Sequence, residues 1–208
     1  STYTRFQNGL GNDSGEVGHN LMDHTYRTGA LGTFEGHEDK YYKGRKPNGF
    51  YIPRFVNLGD TGSQRDYLRG FGYQGGASRG GWGHLVRELS VKPGPELKAA
   101  LAHPGGWSMG MTGFGESLPN PDNRVTLNYD KLDKDGLPTL IMDVAFGENE
   151  RKMRVDMKAY AAEMIEAAGG KHINTFETEA FPGFSIHEMG SARMGRDPKT
   201  SVLNAHNQ

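Results

Sequence analysis

Alternating hydrophobic and polar residues predict short β-strands along most of the chain. The clearest run is 123–129, where Val125, Leu127 and Tyr129 fall on one face. A turn at 133–136 and a returning strand at 139–146 complete a predicted hairpin. Other segments with a strand-like pattern are 25–34, 49–56, 68–74, 107–116 and 171–177. Pro53 interrupts the second of these, so we place that strand at a sheet edge.

A helical period appears in one long segment, 148–168. Its apolar stripe contains Met153, Met157, Tyr160 or Ala161, Met164 and Ala168, and Gly169-Gly170 ends it. A shorter helix is predicted at 95–102, where proline begins the first turn. Strands outnumber helices and no strand–helix–strand unit is visible, so the predicted class is α+β. We expect a mainly antiparallel sheet flanked by a few helices.

A glycine-rich run at 70–75, GFGYQG, fits the GxGxxG pattern of dinucleotide-binding proteins. That pattern has meaning only between a strand and a helix that begins inside it. Here more glycines follow at 75–76 and 80–81, and they disfavour a helix. We therefore interpret the run as a strand followed by a glycine-rich loop through residue 83.

Composition removes several classes of function. The 208 residues carry a formal net charge of −1 without a basic cluster, so no nucleic-acid partner is expected. Cysteine is absent, which excludes disulfides and thiolate chemistry. No apolar run approaches the roughly 20 residues of a membrane span. The eight histidines lack the spacing of a known zinc motif, so no metal site is predicted.

His187 is the main candidate for acid–base chemistry. It lies in 185–195, SIHEMGSARMG, among small residues, a carboxylate and an arginine. A histidine can remove a proton from a substrate hydroxyl at neutral pH. The alternative from the local sequence is a structural histidine with a satisfied hydrogen bond.

Three segments in order resemble the glucose-methanol-choline (GMC) flavoprotein oxidoreductases. Residues 15–24, GEVGHNLMDH, are similar to the family's VGxNLxDH segment. Residues 118–127, LPNPDNRVTL, followed by DGLP at 135–138, are similar to a segment of its substrate domain. Residues 187–195, HEMGSARMG, resemble its HxxGTxRMG segment. The form of this last segment looks most like bacterial sugar dehydrogenases of the glucoside 3- and gluconate types.

The resemblance implies an FAD-dependent enzyme that oxidises a CH–OH group of a sugar or polyol. Hydride would pass to flavin N5, and His187 would take the hydroxyl proton. By position, the resemblance assigns cofactor contacts to Asn20, Asp23 and His24. On the substrate side it suggests Ser185, Glu188 and Arg193.

The resemblance also gives expectations about organisation. Residues 1–208 would form a single substrate-binding domain, with a flavin-proximal segment at 1–24, a sheet with helices at 25–180 and an active-site segment at 181–208. The family's FAD-binding Rossmann half would precede this chain, and its second active-site residue would follow Gln208. The isolated chain is then expected to be inactive.

Partners and alternatives follow from the same resemblance. Beyond the substrate and the FAD-binding half, a cytochrome or a small dehydrogenase subunit is an expected electron acceptor. The resemblance suggests the periplasm, and the sequence is equally compatible with the cytoplasm. The alternatives to an enzyme are a non-catalytic carbohydrate-binding module and a structural subunit of a dehydrogenase complex.

Overall fold

The computed structural model describes residues 6–40, 49–59, 64–80, 93–102, 105–178 and 182–208. Within these ranges each pair of neighbouring strands is antiparallel, which confirms the predicted α+β class with a mainly antiparallel sheet. The strands are β1 Thr25–Phe34, β2 Gly49–Ile52, β3 Phe71–Arg79, β4 Trp107–Gly115, β5 Arg124–Leu132, β6 Pro138–Asp143 and β7 Lys171–Glu177, and the helices are α1 Pro95–Ala100 and α2 Glu148–Ala167.

Five strands form one sheet in the order β2-β3-β4-β1-β7, and β5 and β6 form a separate hairpin. The edge position predicted for the strand before Pro53 is confirmed, because β2 pairs with β3 and ends the sheet. In the hairpin, Leu127 lies opposite Leu140 and Val125 lies opposite Met142. Leu127, Leu140 and Met142 are about half exposed or more, so one face of the hairpin is apolar and uncovered in the described chain.

Helix α2 covers one face of the large sheet and forms the core with it. Its fully buried side chains are four residues apart, at Met153, Met157, Ala161 and Ile165. The predicted stripe is therefore correct in its first half. It is wrong at its end, because the i+4 ridge reaches Ile165 and leaves Ala168 exposed. None of the helices in the described ranges is both long and apolar enough to cross a membrane.

Glycines in β3 allow the sheet to be built closely. The loop predicted from residue 75 through residue 83 is wrong for 75–79, because β3 continues to Arg79 with pairing to β2 on one side and β4 on the other. The last part of that prediction, 81–83, lies outside the described residues. A Cβ added at Gly75 would lie 2.3 Å from Phe50 Cζ and 2.5 Å from the Gly110 carbonyl oxygen. The glycine-rich run thus lies inside an antiparallel strand, and its role is close packing.

Two segments that are distant in sequence meet beside the first residue of β1, Thr25. The Gly18 N–H donates to the Ser191 carbonyl at 2.9 Å. Met22 and Met189 exchange backbone hydrogen bonds of 2.8 and 2.9 Å. These bonds bring the segment before β1 against the segment that contains His187.

Candidate active site

A pocket lies on the face of the large sheet opposite α2. Gly113 and Gly115 of β4 face the helix, since a Cβ at each would contact Met157 and Met153 respectively. Successive residues of a strand point to opposite faces, so Phe114 faces away from the helix. The pocket has a volume of about 230 Å³, just below the usual range for small-molecule sites, and its lining includes His24, Arg54, Gln74, Phe114, Glu116 and His187.

Two histidines meet in this pocket. The ring centroids of His24 and His187 are 5.0 Å apart, with the ring planes at 83°. His24 also makes an edge contact with Phe114 at 5.8 Å. Its Nδ1 lies 3.3 Å from the Gly115 carbonyl oxygen, which can only accept a hydrogen bond. That contact favours the tautomer with the proton on Nδ1, which leaves Nε2 as the acceptor.

Asp23 holds the backbone that carries His187. Its Oδ1 accepts hydrogen bonds from the His24 N–H at 2.8 Å, the His187 N–H at 3.2 Å and the Ser185 hydroxyl. Its Oδ2 accepts from the N–H groups of Gly183 and Ser185 at 2.7 and 3.0 Å. One buried carboxylate therefore fixes both histidines of the pocket by their backbones.

The hydrogen bonds at Asp23 also set its charge state. Burial by itself would raise the pKa of this carboxyl. The hydroxyl of Ser185 and the backbone N–H groups of Ser185, His24 and Gly183 outweigh burial and hold the pKa below its ordinary value. Asp23 is thus anionic at neutral pH, when its acceptor capacity is greatest.

The segment between Ser185 and His187 has an unusual conformation. Ile186 has φ = 58°, a region that is rare for a β-branched residue, and its side chain is 80% exposed. The bonds from Asp23 to both neighbours of Ile186 hold this strained turn in place. Phe184 and Met189 are also more than half exposed, so His187 is set in an apolar surface.

Asn20 and Arg193 belong to a second cluster. Arg193 Nη2 donates to Glu16 Oε2 at 2.7 Å and to the Thr200 carbonyl at 2.7 Å. Asn20 Nδ2 contacts the same Glu16 oxygen at 3.5 Å. Both residues therefore help to join the segment before β1 to the segment after His187.

The predicted site residues thus divide into groups. Asp23, His24, Ser185 and His187 are brought together, with Ser185 buried against Asp23. The Glu188 side chain is exposed, and a Cβ at Gly183 would lie 3.8 Å from its Oε1. The contact of His24 with His187 was missed by the sequence reasoning, since 163 positions separate them.

Other pocket residues were also missed. Arg54 Nη1 donates to Glu116 Oε1 at 2.9 Å, and Gln74 lies nearby on β3. No local motif marks these residues, because they become neighbours only through the pairing of β2 with β3 and of β3 with β4. A larger cleft of about 780 Å³ shares Arg54, and its lining residues Arg65, Tyr67 and Arg69 are distant in sequence from both histidines.

The chain is similar to known oxidoreductases. Residues 119–208 match the family model described as GMC oxidoreductase. The chain is 31% identical to 2-methyl-1,2-propanediol dehydrogenase of Mycolicibacterium austroafricanum, over 96% of this chain and 36% of that protein. It is 29% identical to the fructose dehydrogenase large subunit of Gluconobacter japonicus, over 96% of this chain and 35% of that protein. Identity to paromamine 6'-oxidase of Streptomyces fradiae is 33%, over 41% of this chain and 15% of that protein.

The chain spans about a third of the length of the two relatives that it matches almost throughout. The matched region 119–208 contains His187 and Ser185, while the longer alignments cover 96% of the chain. The predicted family is confirmed for residues 119–208, and the relatives of the chain include dehydrogenases named for a diol and for a sugar. The roles assigned to individual site residues remain predictions. Residues 119–208 are therefore a GMC oxidoreductase domain, and the chain as a whole is related to alcohol and sugar oxidoreductases.

Proposed function

We propose that this chain is the substrate-binding part of an FAD-dependent oxidoreductase that oxidises a CH–OH group of a sugar or polyol. The observation that carries the proposal is the meeting of His24 and His187 in a pocket with polar walls. The family match supports an oxidoreductase. Two relatives are named for oxidising a diol and a sugar, which supports a hydroxylated substrate.

His187 serves as the base in this proposal. A ring nitrogen accepts the proton of the substrate hydroxyl as the C–H bond is broken. Its support is positional: the ring lines the pocket, and Asp23 fixes the backbone beneath it. In the tautomer favoured by the contact of Nδ1 with Gly115, His24 Nε2 is an acceptor and takes a hydrogen bond from a second hydroxyl of the substrate.

The residues around His187 suit a flat aromatic cofactor. Ile186, Met189 and Phe184 form an exposed apolar surface that a ring system could cover, and Ile186 is held there despite its strained backbone. Bound FAD would supply the acceptor for the hydride released by the substrate carbon. His24 would contact it directly, and Asn20, which is buried and hydrogen-bonded to Glu16, would act by holding the segment before β1. Asp23, whose oxygens already accept five hydrogen bonds, would act by holding His24 and His187.

The FAD-binding half of the same protein is the first partner in this proposal. The apolar face of the β5–β6 hairpin, with Leu127, Leu140 and Met142, gives it a further surface to cover. A cytochrome or small dehydrogenase subunit would take the electrons onward. The relative named as a large subunit supports a partner subunit of this kind.

The test uses the full-length protein with bound FAD. Turnover is measured with an artificial electron acceptor on hexoses, hexitols and 2-methyl-1,2-propanediol. We expect His187→Ala to lower kcat by roughly 100-fold or more, as loss of a general base does. His206→Ala, at an exposed position 19 residues after His187, is the matched control and should keep wild-type turnover.

The outcomes separate the alternatives. Sugar binding without turnover by the wild-type protein would favour a carbohydrate-binding module. Neither binding nor turnover would favour a structural subunit. Normal kcat in His187→Ala would remove the role given to that residue while leaving the oxidoreductase proposal intact.

A further inference from the structure

We propose that Glu116, together with Arg54 and Gln74, recognises the substrate hydroxyls that do not react. This inference rests on the proposed function and deepens it by assigning the specificity of the same pocket. The three residues lie on the pocket wall with the two histidines. They would distinguish a polyhydroxylated substrate from a simple alcohol or diol.

Glu116 is fixed by its backbone and by one carboxylate oxygen. It follows β4 directly, and its N–H donates to the Gly70 carbonyl at 3.0 Å. Its Oε1 accepts from Arg54 Nη1 at 2.9 Å. Within the described part of the chain, no hydrogen bond reaches Oε2, so this oxygen can accept one from a ligand hydroxyl.

Arg54 is held from several sides, which limits the freedom of the pair. Its Nη2 donates to the Asn57 carbonyl at 2.9 Å. Its aliphatic stem packs over Gly70, where an added Cβ would lie only 2.6 Å from Arg54 Cδ. The absence of a side chain at position 70 thus lets the guanidinium lie flat beside Glu116. The polar wall is organised before a ligand binds.

The Arg54–Glu116 pair contributes little to folding. The two side chains are 34% and 45% exposed, and pairs at such positions contribute about 0–1 kcal/mol. Stability therefore gives no strong reason for a carboxylate and a guanidinium here. Their placement beside two histidines is better explained by ligand binding.

Gln74 completes a set of donors and acceptors. It lies on the pocket face of β3, two residues after Gly72, and its side chain is exposed. Each sugar hydroxyl can donate one hydrogen bond and accept others. Glu116 offers an acceptor only, Arg54 donors only, and Gln74 both. Together they can bind several hydroxyls at once, whereas 2-methyl-1,2-propanediol has only one hydroxyl besides the one that reacts.

The experiment compares Glu116→Gln with wild type in the full-length, FAD-loaded protein. For the best hexose or hexitol of the panel we expect KM to rise about 10-fold or more while kcat changes less than 3-fold, because a charge-assisted hydrogen bond to the ligand is lost. For 2-methyl-1,2-propanediol both constants should stay within about 2-fold. Gln74→Met, which keeps the length of the side chain, should show the same selective loss. Glu163→Gln, on the exposed side of α2, is the control.

Calorimetric binding of the same sugar gives a readout that does not depend on turnover. A weakening of Kd by about 10-fold in Glu116→Gln, with an unchanged Tm, supports the inference. Equal effects on sugar and diol, or no effect on either, would overturn it. A wild-type protein that binds the sugar but oxidises nothing refutes the proposed function. The role of Glu116 is then still tested by comparing Kd for the sugar between wild type and Glu116→Gln. Wild-type protein that neither binds nor oxidises any sugar overturns both.

Discussion

Replacing Asp23 by asparagine should loosen the segment that carries His187. The carboxylate accepts five hydrogen bonds, three at Oδ1 and two at Oδ2. Asparagine has one carbonyl oxygen, and its amide group is a donor. If that oxygen takes the position of Oδ1, the N–H groups of Gly183 and Ser185 face another donor. If the oxygen takes the position of Oδ2 instead, the His24 N–H, the His187 N–H and the Ser185 hydroxyl lose their acceptor.

The loss of folding free energy follows from the orientation that leaves fewer donors unpaired, which is two. Leaving a buried donor without a partner costs about 1–3 kcal/mol. The Ser185 N–H is buried and the Gly183 N–H only partly so, and together they give about 3 kcal/mol for Asp23→Asn. For a domain of this size roughly 2–4 °C of Tm corresponds to each kcal/mol, so Tm should fall by about 10 °C. The backbone strain at Ile186 adds to the tendency of the segment to open.

Scanning calorimetry measures the fall in Tm, and hydrogen exchange measures the local opening of the segment that carries His187. Exchange in the peptide 182–190 should accelerate more than exchange in α2, because the lost bonds are local. Asp130→Asn, at an exposed position in β5, is the matched control and should change stability by less than about 0.5 kcal/mol. A Tm within 1 °C of wild type and unchanged exchange in 182–190 would refute the anchoring role of Asp23.

Three further outcomes are expected. The stabilisation from Asp23 should be complete above its unfolded-state pKa, about 3.9, and be lost as pH falls through its lower folded-state pKa. The difference in Tm between wild type and Asp23→Asn should therefore narrow below about pH 4 and remain constant at pH 5–7. Tyr73→Phe removes the hydrogen bond from the buried hydroxyl to the Met157 carbonyl, 2.7 Å long, and should cost about 1 kcal/mol in urea unfolding. Glu177→Ala leaves the buried guanidinium of Arg154 without its carboxylate, 3.2 Å from Nε, and should cost about 3 kcal/mol; a loss under 0.5 kcal/mol would contradict that account.

Local patterns were enough to predict most of the fold. Helix α2 appears in the sequence as a continuous periodic run, because it buries one face against the core. The second half of β3 could not be found in this way. Residues 75–79 are poor in apolar side chains, and their strand conformation depends on hydrogen bonds to β2 and β4. Such tertiary pairing is invisible to a local pattern.

The candidate site was less accessible to sequence reasoning. His187 stood out as a titratable residue, but only the family resemblance connected it with residues 15–24. The bonds from Asp23 span 160 positions or more, apart from the one to its neighbour His24, and the Arg54–Glu116 pair spans 62. No periodicity or spacing rule reaches across such distances. The resemblance pointed to Asp23 by position, whereas its anchoring contacts emerged only from the structure.

The distance between Asp23 and its partners has a consequence for biosynthesis. At about 5–20 residues per second, on the order of 10 s passes between the synthesis of Asp23 and that of Gly183. During this interval the carboxylate must remain hydrated, since its later donors do not yet exist. The sheet β1–β4 can form before then, with His24 at its open end. The two histidines of the pocket therefore meet only after residues 183–187 have been made, and a ribosome paused before residue 187 holds a nascent chain whose sheet can form without the completed pocket.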